Sequence, residues 1–149
     1  LVVEEMKGKP ESGNIVTEDG EVLGKHNGLF NYTIGQRKGL GIAYKHPLYV
    51  IGFNGDRNEV IVGPNERLFT NRMICKFYNF LDDTIHKELK AEGKIRYAAN
   101  PSPCTARILD DDTMEVIFEE PQRAITPGQS VAFYNGTQLL GGAVIDRVC

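Results

Sequence analysis

Tight-turn sequences recur along this chain of 149 residues and constrain its fold more than any other feature. Asp19-Gly20 follows the short run 14–17, and Asn135-Gly136 follows the run 130–134. Such dipeptides supply the positive φ angles that two-residue hairpin turns require. The runs beside them are rich in β-branched and aromatic residues and too short for stable helices. The chain is therefore predicted to consist mainly of short antiparallel strands.

The same pattern continues through both halves of the chain. Further strands are predicted at residues 48–53, 59–62, 73–81, 87–98, 105–109 and 114–118. Apart from one helical turn expected at 33–38, no segment has sustained helical periodicity. A boundary near 69–71 divides the chain into a β-rich module, 1–69, and a second domain, 70–149. For the second we predict an antiparallel barrel of about six strands, because closure removes exposed sheet edges. The fold class is all-β.

Composition narrows the class of protein. The hydrophobic fraction of 41% and charged fraction of 25% are typical of a soluble globular protein. No apolar run approaches the roughly 20 residues of a membrane-spanning helix. The chain begins at Leu1 without a signal-peptide pattern, so we interpret its start as a cut inside a longer polypeptide.

The cysteines and histidines form no recognisable reactive or metal-binding motif. Cys75, Cys104 and Cys149 are far apart, and no C-x-x-C pair is present. Cys75 is expected to be buried and Cys104 partly exposed. Reduced thiols indicate the cytoplasm. The scattered histidines also lack metal-ligand spacing, so neither a metal site nor a catalytic group is predicted.

Charge is segregated along the chain although the net charge is −3. A negative total argues mildly against a nucleic-acid partner, since such proteins are usually basic. Residues 25–46, however, contain two histidines, no carboxylate and four cations: Lys25, Arg37, Lys38 and Lys45. The acidic residues gather at 82–83, 110–112 and 119–120. This segregation is what a binding surface on one face requires.

The glycine-rich segment 26–41 is one candidate binding element. Glycine amides beside Arg37 and Lys38 suit phosphate oxygens, and its aromatic side chains suit stacking on RNA bases. The alternative is a simple connection that packs Tyr32 and Ile34 into the core. The residues alone leave both interpretations open. A Walker sequence is excluded because no G-K-[ST] ending is present.

Two further places carry candidate polar contacts. Arg96-Tyr97 ends a predicted strand, where alternation directs the two side chains to opposite faces. The loop 121–129 carries Arg123 and Gln129 as hydrogen-bond donors, although a plain turn between strands is the default interpretation. From its residues, the chain is predicted to be a soluble β-rich binding module, and RNA is one of several candidate ligands.

These blocks resemble the tRNA-specific 2-thiouridylases, the MnmA/TrmU family, in order and over nearly the whole chain. The matching blocks are G-E-V-L-G-K-H-N-G at 20–28, Y-T-I-G-Q-R-K-G-L-G-I at 32–42, I-R-Y at 95–97, P-Q-R-A at 121–124, T-P-G-Q at 126–129 and F-Y-N-G at 133–136. The Y-T-I-G-Q-R-K-G-L-G block is the most specific of them. Departures at Lys25, Asn27 and Ala143 leave the assignment intact and affect only local contacts.

The resemblance implies a function for the parent protein. Such an enzyme thiolates C2 of the wobble uridine in tRNAs for Lys, Glu and Gln, using ATP and a protein persulfide. A PP-loop ATP pyrophosphatase domain comes first in it, followed by a small central domain and a C-terminal barrel similar to translation-factor barrels. This chain would be the central and C-terminal region. We expect it to be monomeric and inactive alone, since the ATP site and both catalytic cysteines would lie upstream.

The resemblance also implies binding residues. The family's tRNA contacts in the barrel match Arg96, Tyr97 and Gln129, and the residues themselves add Arg37 and Lys38. No cofactor is expected in this chain. The alternative function is a protein-interaction barrel that docks a sulfur-carrier partner through the acidic stretches.

Overall fold

The computed structural model describes residues 11–81, 87–96 and 100–149. The chain divides into two compact units, Leu1–Leu68 and Phe69–Cys149. In the described residues, the regular elements are ten strands and two single 3-10 turns, Leu29–Asn31 and Asn65–Leu68. The predicted all-β class is confirmed. None of the helical segments described has the length and apolarity that crossing a membrane demands.

The first unit, here called the sheet unit, is built on four strands. They are β1 (Gly13–Thr17), β2 (Val22–His26), β3 (Tyr49–Asn54) and β4 (Glu59–Gly63). Their order in the sheet is β2-β1-β4-β3, with β1 and β4 parallel and the other pairs antiparallel. The expected hairpin at Asp19-Gly20 joins β1 to β2, and Gly20 has a φ of 91°. The parallel central pair was not predicted.

The long connection between β2 and β3 completes the core of the sheet unit. Its buried cluster consists of Ile15, Leu40, Leu48, Val50, Val60 and Val62. Leu40 and Leu48 come from the connection, and Tyr32 and Ile34 pack against the cluster while half-buried. A sheet of four strands has too little apolar surface of its own, so this irregular segment covers one of its faces.

The connection contains turns instead of the helical turn expected at 33–38. That prediction is wrong. Gly35 has a φ of 91°, outside the helical region, and Gln36 N–H donates to the Thr33 carbonyl at 3.0 Å. A second turn follows at Gly39, where φ is 79°.

The second unit, here called the barrel, is closed by six strands. They are β5 (Phe69–Phe80), β6 (Glu88–Lys94), β7 (Ser102–Ile108), β8 (Thr113–Arg123), β9 (Ser130–Asn135) and β10 (Gln138–Val148). All neighbours in the closed order β10-β5-β8-β7-β6-β9 are antiparallel, as predicted. The strand expected over 87–98 ends at Lys94. Residues 97 and 98 of that predicted strand lie outside the described residues. So do Asp82, Asp83 and His86.

Large side chains fill the barrel. Phe118, Phe133, Met73 and Met114 are fully buried there. Gly93 makes room for the Phe118 ring, since an added Cβ would lie 3.0 Å from its Cε1 atom. The close packing of the barrel core therefore depends on contacts between strands that are distant in sequence, such as β6 and β8.

Two of the cysteines belong to this core. Cys75 is buried, as expected, but the partial exposure predicted for Cys104 is wrong, because β7 turns its side chain inward. Burial raises the pKa of each of these thiols to about 12. Cys149 is exposed.

Candidate nucleic-acid interface

Arg96 lies beyond the end of β6 and reaches the loop before β9. Strand β6 pairs antiparallel with β9 in the register Lys94 with Ala132, so the chain after Lys94 runs toward the start of β9. There Arg96 Nη1 donates a hydrogen bond to the Ala124 carbonyl at 3.1 Å. The residue as a whole is exposed, and a guanidinium group carries further N–H donors besides the one in this bond.

Ala124 holds an uncommon backbone conformation at this contact. Its φ is 58°, in the left-handed region that residues other than glycine seldom adopt. Besides Arg96, its carbonyl accepts a bond from Thr126 Oγ1 at 2.9 Å. Ala124 itself is buried. The conformation is maintained by these surrounding contacts, which aim the carbonyl at the arginine.

Backbone hydrogen bonds fix the position of Gln129. Its N–H donates to the Thr126 carbonyl at 3.2 Å, and its carbonyl accepts from Ile145 N–H at 2.8 Å. Gly128 N–H donates to the Ile145 carbonyl at 2.8 Å, so two backbone hydrogen bonds to Ile145 attach the end of the loop to β10. The Gln129 side chain is left exposed. A fixed backbone with a solvent-facing amide is suited to contact a ligand.

The barrel loop 124–129 therefore connects two of the predicted site residues. Arg96 is bonded to its first residue, and Gln129 is its last. Tyr97, the third predicted member, lies outside the described residues. Arg123, named as a candidate donor, ends β8 just before this loop.

In the sheet unit, Arg37 and Lys38 project from a loop closed by one glutamine. Gln36 Oε1 accepts from Thr33 N–H at 3.0 Å, and Gln36 Nε2 donates to the Lys38 carbonyl at 2.9 Å. The side-chain amide thus replaces two backbone partners of the turn. Both cations are exposed.

Strand β3 anchors the same loop. Gly35 N–H donates to the Val50 carbonyl at 2.8 Å, and Val50 N–H donates to the Gln36 carbonyl at 2.9 Å. Val50 is fully buried. The structure of the block Y-T-I-G-Q-R-K-G-L-G is compatible with a binding element and with a connection that packs into the core. Its apolar members pack on the sheet, and its cations are held outward.

A cleft of about 750 Å³ opens beside this loop. It is lined by Arg37 and by residues 39–48, which include Tyr44, Lys45 and His46. The Tyr44 and His46 rings contact edge to face, with centroids 4.9 Å apart and planes at 84°. Lys45 Nζ lies 5.9 Å from the Tyr44 ring centroid. The described lining contains no carboxylate.

His26 is an organising residue that sequence reasoning missed. It is buried, its Nε2 lies 2.7 Å from the Asn58 carbonyl, and its Nδ1 lies 3.0 Å from Gly28 N. A carbonyl only accepts and an amide N–H only donates, so Nε2 carries the proton and Nδ1 accepts. His26 thus ties the end of β2 to the β3–β4 connection. Nothing in the sequence indicates a contact between residues 32 positions apart.

A close backbone approach surrounds this histidine. A Cβ added to Gly13 would lie 2.1 Å from the Asn58 carbonyl oxygen and 2.7 Å from His26 Nε2. Asn58 has a φ of 55°, and its Nδ2 donates to the Ser12 carbonyl at 3.1 Å. The network is structural, because every polar atom of the imidazole is already bonded inside the unit.

Two acidic residues of the barrel, Glu115 and Asp110, are held by partners within the barrel. Glu115 is buried on β8 and paired with Arg72 at 2.6 Å and Arg107 at 3.1 Å. Asp110 accepts bonds from the N–H groups of Asp112 and Thr113, which hold the pKa of that carboxyl below its usual value. Within the part of the chain described, no three His, Cys, Asp or Glu side chains are grouped to hold a metal ion.

Two family models match the chain. One, described as an aminomethyltransferase beta-barrel domain, matches residues 70–145, and a tRNA methyl transferase PRC-barrel domain matches residues 2–64. A protein of Clostridioides difficile named tRNA-specific 2-thiouridylase MnmA is 46% identical over 142 residues, which are 95% of this chain and 39% of that protein.

Relatives with the same name occur in other bacteria. The MnmA of Geotalea uraniireducens is 46% identical over 146 residues, or 97% of this chain and 39% of that protein. MnmA 1 of Clostridium tetani is 47% identical over 146 residues, or 97% of this chain and 40% of that protein. The chain thus spans about two fifths of the length of the curated relatives it matches.

Proposed function

Because the chain belongs to the family of tRNA-specific 2-thiouridylases, we propose that it supplies tRNA contacts for such an enzyme. The proposed reaction of the whole protein is thiolation of C2 of the wobble uridine in tRNAs for Lys, Glu and Gln. ATP activates the oxygen to be replaced, and a protein persulfide donates the sulfur. In this proposal the chain is a cytoplasmic, monomeric RNA-binding region that does not catalyse the transfer alone.

We propose that ATP binds to a part of the enzyme outside this chain. A nucleotide phosphate is commonly bound where a glycine-rich loop runs into the N-terminus of a helix. In the described residues, segment 35–41 continues as irregular chain toward β3 and starts no helix. We therefore assign ATP binding and sulfur transfer to parts of the enzyme outside this chain, and derive no step through ATP here.

One observation carries the tRNA-binding proposal. The bond from Arg96 to the Ala124 carbonyl joins two blocks of the family resemblance that are 28 residues apart. Both Arg96 and Gln129 are exposed around the resulting loop. A guanidinium group suits phosphate oxygens, and a glutamine amide both donates to and accepts from RNA.

These groups are suited to positioning RNA. Contacts to phosphate and sugar fix the register of a complex without reading its sequence. The exposed Arg37 and Lys38 add a second point of positive charge on the sheet unit. We assign to this chain the docking of folded tRNA and not the choice of the uridine.

The test is titration of the 149-residue chain with an unmodified tRNA transcript for Lys, followed by fluorescence anisotropy at several salt concentrations. We expect micromolar or weaker binding that falls as salt rises, because cations displace condensed counterions. Arg96→Ala is expected to weaken binding about tenfold and to lower the salt slope by about one.

Lys87→Ala is the matched control, since Lys87 is an exposed cation just before the opposite end of β6. Gln129→Ala tests the same loop without removing charge. Equal affinity for the wild type and Arg96→Ala, in a variant that keeps its melting temperature, would show the assignment to be wrong. Thiolated uridine formed by this chain with ATP, a sulfur donor and tRNA would refute its inactivity.

A second candidate function concerns the acidic turn of the barrel. Phe77 is 69% exposed at a φ of 54°, beside Leu109, which is 47% exposed, and the acidic residues 110–112. The Phe77 N–H donates to the Asp112 carbonyl, which places the ring at this turn. We propose it as the alternative docking point for a protein sulfur donor. Loss of binding of a persulfide-carrying protein in Phe77→Ser would support it.

A further inference from the structure

The cleft beside Arg37 has the size of a small-ligand site. Its volume of about 750 Å³ lies within the range of roughly 300–1,000 Å³ that such pockets occupy. All of its lining comes from segment 37–48 of the sheet unit. Among the residues with a role proposed above, only Arg37 contributes to it.

In the part of the chain that the structure describes, the lining of the cleft contains the cations Arg37 and Lys45 and no carboxylate. Arg37 and Lys45 are exposed, and neither forms an ion pair within the described residues. By contrast, Arg67 of the same unit is held by two bonds to Glu18. A cleft with free cations and no carboxylate in its lining favours an anionic ligand.

An aromatic surface lies between these cations. Tyr44 is 36% exposed, and its ring contacts that of His46 edge to face. Lys45 Nζ is 5.9 Å from the Tyr44 centroid, near the outer limit of a cation–π contact. The exposed part of the Tyr44 ring offers a surface on which a planar group is able to stack.

The backbone around the cleft is open to a ligand. Gly41 has a φ of 68°, and a Cβ added there would meet no atom within 4 Å. The glycine is explained by its backbone conformation and not by crowding. The space beside it is left free for close approach of a ligand.

From these observations we infer that the cleft binds one unstacked nucleotide of the tRNA, an inference that rests on the proposed function. The base stacks on Tyr44, and Arg37 and Lys45 contact the phosphates on either side of it. An unstacked nucleotide is required because the bases of an RNA duplex are covered by their neighbours. Stacking tolerates any base, so this site contributes affinity and position without selecting a sequence.

The experiment uses tryptophan fluorescence. The chain contains no Trp, so Tyr44→Trp introduces a single tryptophan, whose emission is separable from that of tyrosine, in the cleft. Phe77→Trp is the matched control, because Phe77 is also an exposed ring with a lysine near it: Lys76 Nζ lies 5.3 Å from its centroid. The probes are the tRNA transcript, a single-stranded RNA nonamer, an RNA duplex of the same length and inorganic phosphate.

We expect the tRNA and the nonamer to quench Tyr44→Trp in a saturable, salt-sensitive manner and to leave Phe77→Trp unchanged. Adding Lys45→Ala to Tyr44→Trp should weaken the quenching by the nonamer at least threefold. Equal quenching by the duplex or by phosphate alone would overturn the inference, because neither presents a free base. So would equal quenching of the two tryptophan variants.

The outcomes also separate this inference from the proposed function. If tRNA binds and Arg96→Ala weakens it while Tyr44→Trp does not respond, the cleft assignment fails and the docking function stands. If the nonamer quenches Tyr44→Trp but Arg96→Ala leaves tRNA affinity unchanged, the barrel assignment fails and the cleft assignment stands. No response in either assay removes both.

Discussion

The two units of this chain bury their cores by different means. The barrel closes on itself, and the buried cluster formed by its described residues includes Phe118, Phe133 and two methionines. In the described residues of the sheet unit, the buried cluster is aliphatic, and Leu40 and Leu48 of it come from an irregular connection. Closure lets strands cover one another, whereas a small open sheet needs another segment to cover its face.

This difference decides where each unit is able to carry a binding surface. In the barrel, Arg96 and Gln129 lie on the loops at the strand ends, and neither residue belongs to the buried cluster. In the sheet unit, one segment contributes Leu40 and Leu48 to the core and Arg37 and Tyr44 to the cleft. Stability and ligand binding are therefore separable in the barrel and coupled in the sheet unit.

The largest expected effect tests the barrel core through its thiols. All three cysteines lie in the barrel, and only Cys149 is exposed. With the pKa of Cys75 and Cys104 raised to about 12, their thiolate fraction at pH 8 is about one in ten thousand. A disulfide reagent should modify one thiol rapidly in the native chain and three after denaturation. Rapid native labelling of all three would mean that the barrel opens easily.

The same thiols predict a pH dependence. Their folded pKa of about 12 is above the ordinary value of 9.0, so the unfolded chain loses these protons first. The stabilisation is complete below pH 9 and is lost as the pH rises toward 12. The variant with both Cys75 and Cys104 changed to Ala should have a flatter stability profile over this range.

Core truncation compares the units directly. Phe118→Ala should lower the free energy of unfolding of the barrel by about 3–5 kcal/mol, because a fully buried ring leaves a cavity. Val60→Ala, at a fully buried position of the sheet unit, removes fewer methyl groups and should cost about 1–3 kcal/mol there.

Denaturant titration measures both changes. Thiol protection reports on the barrel, and the fluorescence of Tyr44→Trp reports on the sheet unit. We expect each truncation to shift the transition of its own unit. A single shared transition, shifted equally by both changes, would contradict the comparison drawn above.

The last prediction concerns His26 and the hydrogen bonds that it makes within the sheet unit. His26→Ala leaves Gly28 N–H and the Asn58 carbonyl without their partner and should cost about 1–3 kcal/mol. Lys25→Ala, at the exposed neighbouring position, is the control and should change little. The thiol protection of the barrel should be the same in both variants.

Several features followed from local sequence. The hairpins at Asp19-Gly20 and Asn135-Gly136 formed as predicted, with φ values of 91° and 63° at the two glycines. A turn depends on a few adjacent residues, so its preference is visible in the sequence. The all-β class and the closed antiparallel barrel followed from the spacing of such turns. The helical turn at 33–38 was mispredicted because Gly35 takes a positive φ that the hydrophobic pattern does not reveal.

The resemblance named candidate residues but not their arrangement. That Arg96 would bond to Ala124, and that Gln36 would close the loop presenting Arg37, appears only in the structure. Of the cleft residues, Tyr44 was not predicted to take part, and Lys45 was named only as one of the four cations in residues 25–46. Such side-chain contacts form only when folding brings together backbone segments that are far apart in the sequence.

By itself, then, the sequence determined the turns, the strand-rich class and the family, because each of these is written in adjacent residues. Only the tertiary structure decided the parallel pairing of β1 with β4, the inward side chain of Cys104 and the contacts of His26. Those depend on which distant strands meet and in what register. A one-residue change of register reverses the face of every side chain in a strand, so burial and contact are properties of the assembled sheet.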